Sequence, residues 1–389
     1  MSAKSPIRVM QVMGHMVGGG VEATIMNHYR FIDRSRVQFD FVIDSDSTLV
    51  PREEIESLGG RVFVVPPYKH LPQYMQACER LFRQEKPDIV HSNINALSVF
   101  PLAAAKKAGI EVRIAHSHST ANPKEHVKTI AKDILRPFSK VFPTDLAACS
   151  DDSAKWLFGE KAFREGRIHI IKNAIDLDKY KFDPLVRADM RRSLGVADDQ
   201  LVIGQVGRFC FQKNQLFTID VFARFIRMHP DALLVLVGDG ELRGQIQQKI
   251  EALCLDDKVR ILGHRDDVDM LYQAFDILMF PSNYEGLPLT AIEAQIADLP
   301  VVMSTKVSKE ATIISRLVDR VNLSCSSKQW ANECQKICDK SSEHIRGDIV
   351  LSEFFKFGYD LRQSALDLER WYWDLFQKRN TDLVLRNSR

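Results

Sequence analysis

Short apolar runs alternate with amphipathic stretches along this chain. A first series of predicted strands covers residues 7–13, 39–43, 62–66, 89–91 and 112–116, followed by two shorter strands at 146–149 and 168–171. Amphipathic stretches such as residues 73–83 and 96–107 lie between them. Because two parallel strands need a long crossover connection, this alternation predicts a parallel sheet covered by helices.

The alternation stops and then begins again. Residues 176–200 are polar and charged, and a second series of strands follows at 201–206, 233–237, 259–262, 277–280 and 301–303. A chain of 389 residues is long enough for two domains that each bury a core. The sequence therefore predicts an α/β protein with two Rossmann-like, doubly wound parallel-sheet domains, at residues 1–175 and 201–365, joined by a linker at 176–200.

Charge and composition argue against several classes of function. The formal net charge is +2, so there is no bulk electrostatic case for a nucleic-acid partner. No run of about 18 apolar residues occurs, so no membrane-spanning helix is predicted. The seven cysteines are odd in number and fit no zinc-site spacing, so we expect reduced thiols in a cytosolic protein.

Residues 283–294 read NYEGLPLTAIEA and carry two carboxylates, Glu285 and Glu293. Glu285 lies in a loop after the strand at 277–280, and Glu293 lies about two turns into the helix that starts near Pro288. The N–H groups at a helix start bind phosphate, and carboxylates accept hydrogen bonds from hydroxyls. The segment suits a ligand that is part phosphate and part sugar, although acids near a helix start are also common for structural reasons.

Two segments near the start of the second series carry further candidates. Residues 207–214 read GRFCFQKN and place Arg208 and Lys213 before a helix. A guanidinium fork and a point-charge ammonium suit a diphosphate, and two solvated surface cations are the alternative. Residues 236–241 read LVGDGE, a strand followed by a turn at Gly238.

The first series has two such segments of its own. Residues 14–22 read GHMVGGGVE, and three consecutive glycines, Gly18, Gly19 and Gly20, let backbone N–H groups approach a ligand, unless the segment is simply a flexible turn. Residues 113–119 read RIAHSHS, and His116 and His118 share one face of a strand. They are candidates for hydrogen-bonding groups at a site, for structural histidines, or for a metal pair that lacks a third ligand.

Taken in order, these segments resemble the motifs of retaining family 4 glycosyltransferases, which have the GT-B fold. The resemblance covers nearly the whole chain and rests on the glutamate pair, the Gly-Arg-x4-Lys spacing, the glycine loop ending in Gly-Gly-x-Glu and the strand-end His118, with His116 as second choice. Residues 170–176, IIKNAID, are similar to the family's Pro-Asn-Gly-Val-Asp segment. Lys172 and Ala174 replace the Pro and Gly there, so Asn173 and Asp176 are what carries over.

The resemblance implies a hexosyltransferase that takes a nucleotide-sugar, such as a UDP-sugar, and needs neither a metal nor a cofactor. It implies that the domain at 201–365 binds this donor and that the domain at 1–175 lies on the acceptor side of a central cleft. Residues 354–377 show a long helical pattern with Trp371, Tyr372, Trp373 and Phe376, so we expect an aromatic helix that packs on another element. The resemblance implies that the terminal helix, at 366–389, crosses back to the first domain. A glycan or lipid-linked acceptor, in bacterial exopolysaccharide or capsule synthesis, is implied in the same way.

The resemblance also assigns roles to individual residues. Arg208 and Lys213 would stabilise the leaving diphosphate. Glu285 would position the donor sugar, His118 would contact it near the reacting carbon, and Glu293 would hold the ribose. The remaining substrate-binding residues are Gly18, Gly19, Gly20, His116, Asn173, Gly238, Gly286 and Leu287.

Three points stay open. Residues 305–310, TKVSKE, stand where the family often has Gly-Gly before Pro-Glu, so donor or acceptor details can differ. Basic residues recur every four positions beside an apolar stripe, which predicts either a site for the anionic inner face of the plasma membrane or a solvated lysine face. These residues are Lys124, Lys128, Lys132, Arg136 and Lys140.

A nucleotide-sugar epimerase of the same fold and a non-catalytic glycan- or nucleotide-binding protein are the alternative functions.

Overall fold

The computed structural model describes residues 5–118, 135–285, 287–341, 346–347 and 351–387. The chain forms two compact units. The first unit comprises Met1–Ile175 and Gly358–Arg389, and the second unit comprises Asp176–Phe357. Each unit contains one parallel sheet.

The first unit is built on seven strands in the order β3-β2-β1-β4-β5-β6-β7. The strands are β1 (Ile7–Gly14), β2 (Val37–Asp44), β3 (Val62–Val65), β4 (Ile89–Ser92), β5 (Val112–Ser117), β6 (Asp145–Ala148) and β7 (Ile168–Ile170). The helices between them are α1 (Gly20–Phe31), α2 (Arg52–Ser57), α3 (Leu71–Glu85), α4 (Val99–Lys107), α5 (Asp151–Phe158) and α6 (Glu160–Arg164), with 3₁₀ turns at Asn95–Ser98 and Arg136–Lys140.

The second unit is built on six strands in the order β10-β9-β8-β11-β12-β13. The strands are β8 (Val202–Val206), β9 (Leu233–Val237), β10 (Val259–Gly263), β11 (Ile277–Phe280), β12 (Val301–Ser304) and β13 (Val318–Val321). The helices are α7 (Leu177–Tyr180), α8 (Pro184–Ser193), α9 (Gln215–Phe225), α10 (Arg243–Ala252), α11 (Val268–Ala274), α12 (Leu289–Ile296), α13 (Ser327–Ser341) and α14 (Ser352–Lys356). The last helix of the chain, α15 (Leu361–Asn387), lies in the first unit.

The strands of the first sheet are buried on both faces. Side chains alternate along each strand, so Val9 and Ile89 enter the core on one face while Met10 and Val90 enter the core on the other. Helices α1 and α15 cover the first of these faces, where Tyr372 of α15 is fully buried. This two-sided burial explains the continuous apolar runs in the sequence.

Strand order locates where a ligand site is expected in each unit. In both sheets the first strand of the series lies between the second and fourth, which is the order of the doubly wound fold. The chain reverses direction across the sheet at β1/β4 in the first unit and at β8/β11 in the second. Ligands of such folds bind beyond the carboxyl ends of the strands at this reversal point.

Every predicted strand is confirmed, as is the parallel sheet in each half. Strand β13 was not predicted because it has four residues and places Asp319 and Arg320 at its centre. The prediction of a continuous helix over 354–377 is wrong at its start, since Gly358 adopts φ +74° and separates α14 from α15. Residues 176–200 contain α7 and α8, and Arg187 of α8 pairs with Asp276 at 2.6 Å.

Candidate functional site

In the second unit, the loops that follow β8 and β11 lie side by side because these strands are neighbours in the sheet. Three hydrogen bonds join the two loops. The Asn283 N–H donates to the Gln212 carbonyl at 2.8 Å, and its side-chain amide donates to the Phe211 carbonyl at 2.7 Å. The Asn214 amide donates to the Pro281 carbonyl at 3.1 Å. The two predicted motifs, at 207–214 and 283–294, therefore form one rigid structure.

The Lys213 ammonium and the Glu285 carboxylate form an ion pair at the centre of this structure. Lys213 Nζ lies 2.6 Å from Glu285 Oε1, and the two side chains are 17% and 9% exposed. Gln212 Nε2 donates to the other carboxylate oxygen at 2.9 Å. Lys213 Nζ also lies 5.1 Å from the ring centroid of Phe280. Both predicted site residues are thus held in place by several contacts.

Arg208 has a different environment. Its guanidinium lies 3.2 Å from Glu241, and both side chains are more than half exposed. An exposed pair of this kind contributes about 0–1 kcal/mol and is readily exchanged for another anion. Arg208 is therefore available to a ligand phosphate.

The loops that follow β8 and β9 are in close backbone contact. A Cβ built on Gly238 would lie 2.3 Å from the Gly207 carbonyl oxygen, and Gly238 has φ +135°. The Phe209 N–H donates to the Asp239 carbonyl at 2.8 Å. Glycine at 238 is thus required for this approach, which brings the Gly-x-Gly turn against the arginine loop.

Glu293 lies in α12 and is bound by tyrosines. The Tyr272 hydroxyl of α11 donates to Glu293 Oε2 at 3.0 Å. Burial raises the pKa of the Glu293 carboxyl, and hydrogen bonds from Tyr272 and Tyr180 partly offset that rise. The N-cap of α12 is Pro288, whose side chain makes no capping hydrogen bond, so the first turn of this helix suits an anion.

Gly286, Leu287 and the segment at 305–310 are the predicted positions next to Glu285. Gly286 lies outside the described residues, and Leu287 is buried. The segment at 305–310 forms a parallel bridge with the glutamate loop, at Glu285 and Val307. The departure from the family pattern therefore lies directly against a predicted site residue.

In the first unit, the glycine loop joins β1 to α1. Gly18 has φ +75°, and Gly19 is the N-cap of α1. The Glu22 carboxylate accepts a hydrogen bond from the Val17 N–H at 3.0 Å and so fixes the loop. A Cβ on Gly20 would meet nothing within 4 Å, so the space above this residue is open.

His116 and His118 lie together at the end of β5, as their spacing predicts. Their ring centroids are 3.8 Å apart. His118 Nε2 lies 3.0 Å from Asn93 Oδ1, and the His118 N–H donates to Asn95 Oδ1 at 2.7 Å. Burial lowers the pKa of His118 to about 3, with a smaller contribution from His28, so the ring is neutral at pH 7. Asn93 follows β4, which is one of the two strands at the reversal point of the first sheet.

The other predicted residues lie either in the first unit or outside the described residues. Asn173 is buried in the loop after β7. Lys124, Lys128 and Lys132 lie outside the described residues. Of the other two basic residues, Arg136 lies 6.0 Å from the Trp156 ring centroid and Lys140 donates to the Phe158 carbonyl at 2.9 Å.

In the ranges that the structure describes, no three His, Cys, Asp or Glu side chains are grouped so that they could hold a metal ion. None of the helices there combines the length and the apolar character that crossing a membrane requires.

Sequence reasoning missed several residues that build the site. Gln212, Asn93 and Tyr272 hold Glu285, His118 and Glu293 respectively. The position of Asn93 directly after a strand was a usable signal. Gln212 and Tyr272 had none, because their roles depend on contacts between separate elements.

The fold and the site residues together define a class of protein. Both units are doubly wound, and each carries charged or polar side chains beyond the carboxyl ends of its strands at the reversal point. This is the class of α/β proteins that bind nucleotide-like ligands at that edge of the sheet.

Comparison with known proteins identifies the family. The family model described as Glycosyltransferase Family 4 matches residues 18–179, and the model described as Glycosyl transferases group 1 matches residues 186–344. A Bacillus subtilis (strain 168) protein named "Putative glycosyltransferase EpsF" is 31% identical over 366 residues, which are 92% of this chain and 94% of that protein. The chain therefore belongs to the glycosyltransferases, which confirms the family resemblance.

Two further similarities extend the comparison. The UDP-Gal:alpha-D-GlcNAc-diphosphoundecaprenol alpha-1,3-galactosyltransferase of Escherichia coli is 29% identical over 233 residues, 58% of this chain and 59% of that protein. The crystal structure of Anabaena Alr3699/HepE in complex with UDP-glucose has a TM-score of 0.72 at 19% identity, over 95% of this chain and 99% of that chain. The structural likeness confirms the GT-B fold. The roles of individual site residues stay predictions.

Proposed function

We propose that this glycosyltransferase is a retaining, metal-independent hexosyltransferase of family 4. It moves a sugar from a UDP-sugar to a glycan or lipid-linked acceptor in the cytoplasm, in bacterial exopolysaccharide or capsule synthesis. The E. coli relative supports this proposal because its name states a UDP-galactose donor and a diphosphoundecaprenol-linked acceptor. The Anabaena structure, which contains UDP-glucose, supports the donor class.

The observation that carries the proposal is the Lys213–Glu285 pair in the second unit. It joins the two motifs that the resemblance assigns to the diphosphate and to the sugar, and it does so at the reversal point of the sheet. Its ammonium and the exposed guanidinium of Arg208 supply two positive charges. Such charges stabilise a leaving diphosphate as negative charge develops on it.

Each remaining group has a proposed role of its own. Glu293, held by Tyr272, accepts hydrogen bonds from ribose hydroxyls. In the first unit, the neutral His118 ring contacts the donor sugar near the reacting carbon, and the Gly18–Gly20 backbone approaches the phosphates. The departing phosphate helps to deprotonate the acceptor, so no protein carboxylate is needed as the base.

Three single substitutions test this assignment. Arg208→Ala, Lys213→Ala and Glu293→Ala should each slow sugar transfer at least ~10-fold, equivalent to ~1.4 kcal/mol. Lys249→Ala is a matched control, because Lys249 is also partly buried and pairs with Asp220 at 2.6 Å, away from these loops. Transfer is measured as nucleotide released in the presence of acceptor. Wild-type rates in all three variants would remove the assignment.

We also propose that the basic stripe at residues 124–140 binds the anionic inner face of the plasma membrane, where a lipid-linked acceptor would lie. Lys128→Glu combined with Lys132→Glu should reduce binding to anionic vesicles in a sedimentation assay. Lys161→Glu combined with Arg164→Glu makes the same charge change on exposed α6 and should leave binding unchanged. Equal binding by the wild type and the stripe variant would refute this proposal.

A further inference from the structure

One face of the first sheet carries a row of polar side chains beneath α15. Gln11 of β1 pairs in register with His91 of β4, and His116 of β5 projects to the same face. All three are at most 1% exposed. A buried polar row of this kind needs internal partners, because water is excluded from it.

Tyr372 of α15 supplies that partner and is itself fully buried. Its hydroxyl oxygen lies 2.7 Å from His91 Nδ1 and 3.1 Å from Gln11 Nε2. One phenol therefore contacts two neighbouring strands of the sheet at once.

The two amides in this network, those of Gln11 and Asn93, are coupled to each other. Its Nδ2 donates to Gln11 Oε1 at 2.9 Å and lies 3.5 Å from the His91 carbonyl oxygen. Reversing the Asn93 amide alone would place its oxygen against the Gln11 Oε1 and His91 carbonyl oxygens, so the two amides can reverse only together. In the observed arrangement the Gln11 amide nitrogen faces Tyr372, so Gln11 donates and the tyrosine oxygen accepts.

Two branches of hydrogen bonds start at the Tyr372 hydroxyl, and in each of them donors and acceptors follow a defined order. In the first branch, Gln11 donates to the phenol and accepts from Asn93 Nδ2, and Asn93 Oδ1 accepts the Nε2 proton of His118 at 3.0 Å. In the second branch, the tyrosine proton is donated to His91 Nδ1, which leaves the His91 proton on Nε2. That proton is donated to His116 Nδ1 at 3.1 Å, so His116 also carries its proton on Nε2.

We propose that Tyr372 is a positioning residue for glycosyl transfer. It sets the tautomer and the orientation of His118 through Gln11 and Asn93. Through His91 it sets the tautomer and the orientation of His116. All three rings are then held as Nε2–H tautomers, and His118 presents an unprotonated Nδ1. The neutral state fits the lowered pKa of each of the three rings, of which burial is the main cause. This inference rests on the role proposed for His118.

The test reads the tautomers directly in the ligand-free full-length chain. Two-dimensional NMR of the protein with ¹⁵N-labelled histidine shows which ring nitrogen carries the proton, and single histidine variants assign the signals. In the wild type we expect Nε2–H for His91, His116 and His118. Tyr372→Phe removes the hydroxyl at which both branches of hydrogen bonds start, so all three rings should become tautomer mixtures. Tyr74→Phe, a buried tyrosine in the core on the opposite face of the sheet, is the matched control.

A second variant separates the branches. Gln11→Met keeps the side-chain size and cuts the first branch, so His118 should change while His91 and His116 keep the wild-type signals. Transfer by Tyr372→Phe should fall about tenfold in kcat, with a smaller change in the donor KM, because misplaced groups slow chemistry more than binding.

The outcomes are distinct. Wild-type tautomers in both variants would overturn the proposal, and so would altered tautomers with an unchanged kcat. A wild-type chain without transferase activity would refute the proposed function instead, since the NMR result does not depend on turnover.

Discussion

The two cations of the second unit differ in how firmly they are held. Lys213 is mostly buried and paired with a mostly buried carboxylate, whereas Arg208 and its partner are largely exposed. Removing Lys213 leaves the Glu285 charge with Gln212 as its remaining hydrogen-bond partner, which is costly in a buried place. Arg208 can be removed with little effect on folding. Arg208→Ala is therefore the cleaner probe of ligand binding.

Acid should destabilise the first unit through His118. In the unfolded chain the ring binds a proton below its ordinary pKa of about 6.5, whereas in the folded protein it does so near pH 3. Below pH 6.5 the unfolded state binds more protons, so the free energy of unfolding falls as the pH falls. The loss reaches about 2 kcal/mol at pH 5.

The measurement compares urea unfolding of the wild type and His118→Asn between pH 7 and pH 5. The stability of the wild type should fall relative to the variant by about 2 kcal/mol over this range. Groups with the opposite effect, such as Asp44 with a pKa raised by burial to about 6, cancel in the difference. A pH-independent difference would show that His118 is not held neutral by the fold.

The contacts of a residue could be predicted from the sequence when its partners lie close to it along the chain. His116 and His118 were predicted to lie together because the alternation of a strand fixes it. Tyr372 was predicted to pack but not to bind His91, which lies 281 positions away. No local pattern encodes a contact between a terminal helix and a central strand.

At the scale of elements, the site depends on turns as much as on helices. The turn after β9 touches the loop after β8 through backbone atoms, at Gly238 and Gly207. This contact leaves no room for a side chain. The two loops therefore keep a fixed spacing without help from side-chain packing.

Gly238→Ala should lower stability by about 1–3 kcal/mol, because alanine would have to adopt φ +135° and its Cβ would collide with a carbonyl oxygen. Gly244→Ala is the control. A Cβ there meets nothing within 4 Å in α10, so this change should be neutral or stabilising by up to about 1 kcal/mol. Thermal unfolding of both variants checks the prediction. Equal melting temperatures would mean that the two loops can move apart freely.

Elements were predictable where apolar periodicity was strong. Strands such as β9, with five consecutive buried apolar residues, were found from the sequence. Strand β13 was missed because charged side chains occupy the middle of an edge strand, where water can solvate them. The break before α15 was missed because the aromatic pattern continues across Gly358, whose positive φ ends the preceding helix.

At the scale of the molecule, the alternation predicted two parallel sheets but not their strand order. The observed order brings β8 beside β11 and β1 beside β4, and it is this adjacency that gathers distant motifs. Lys213 and Glu285, 72 positions apart, meet for this reason. The fold thus converts a set of weak sequence signals into a defined site.

All the residue roles proposed above depend on one reaction, the transfer of sugar from a nucleotide donor to an acceptor. It is tested most directly by incubating the full-length chain with a panel of UDP-sugars, with and without a lipid-linked acceptor, and measuring free nucleotide and glycosylated acceptor together. We predict that both products form in equal amounts, when both substrates are present, and that Lys213→Ala loses this activity while Lys249→Ala keeps it. Conversion of the donor sugar without acceptor, or no nucleotide release with any donor, would contradict the claim.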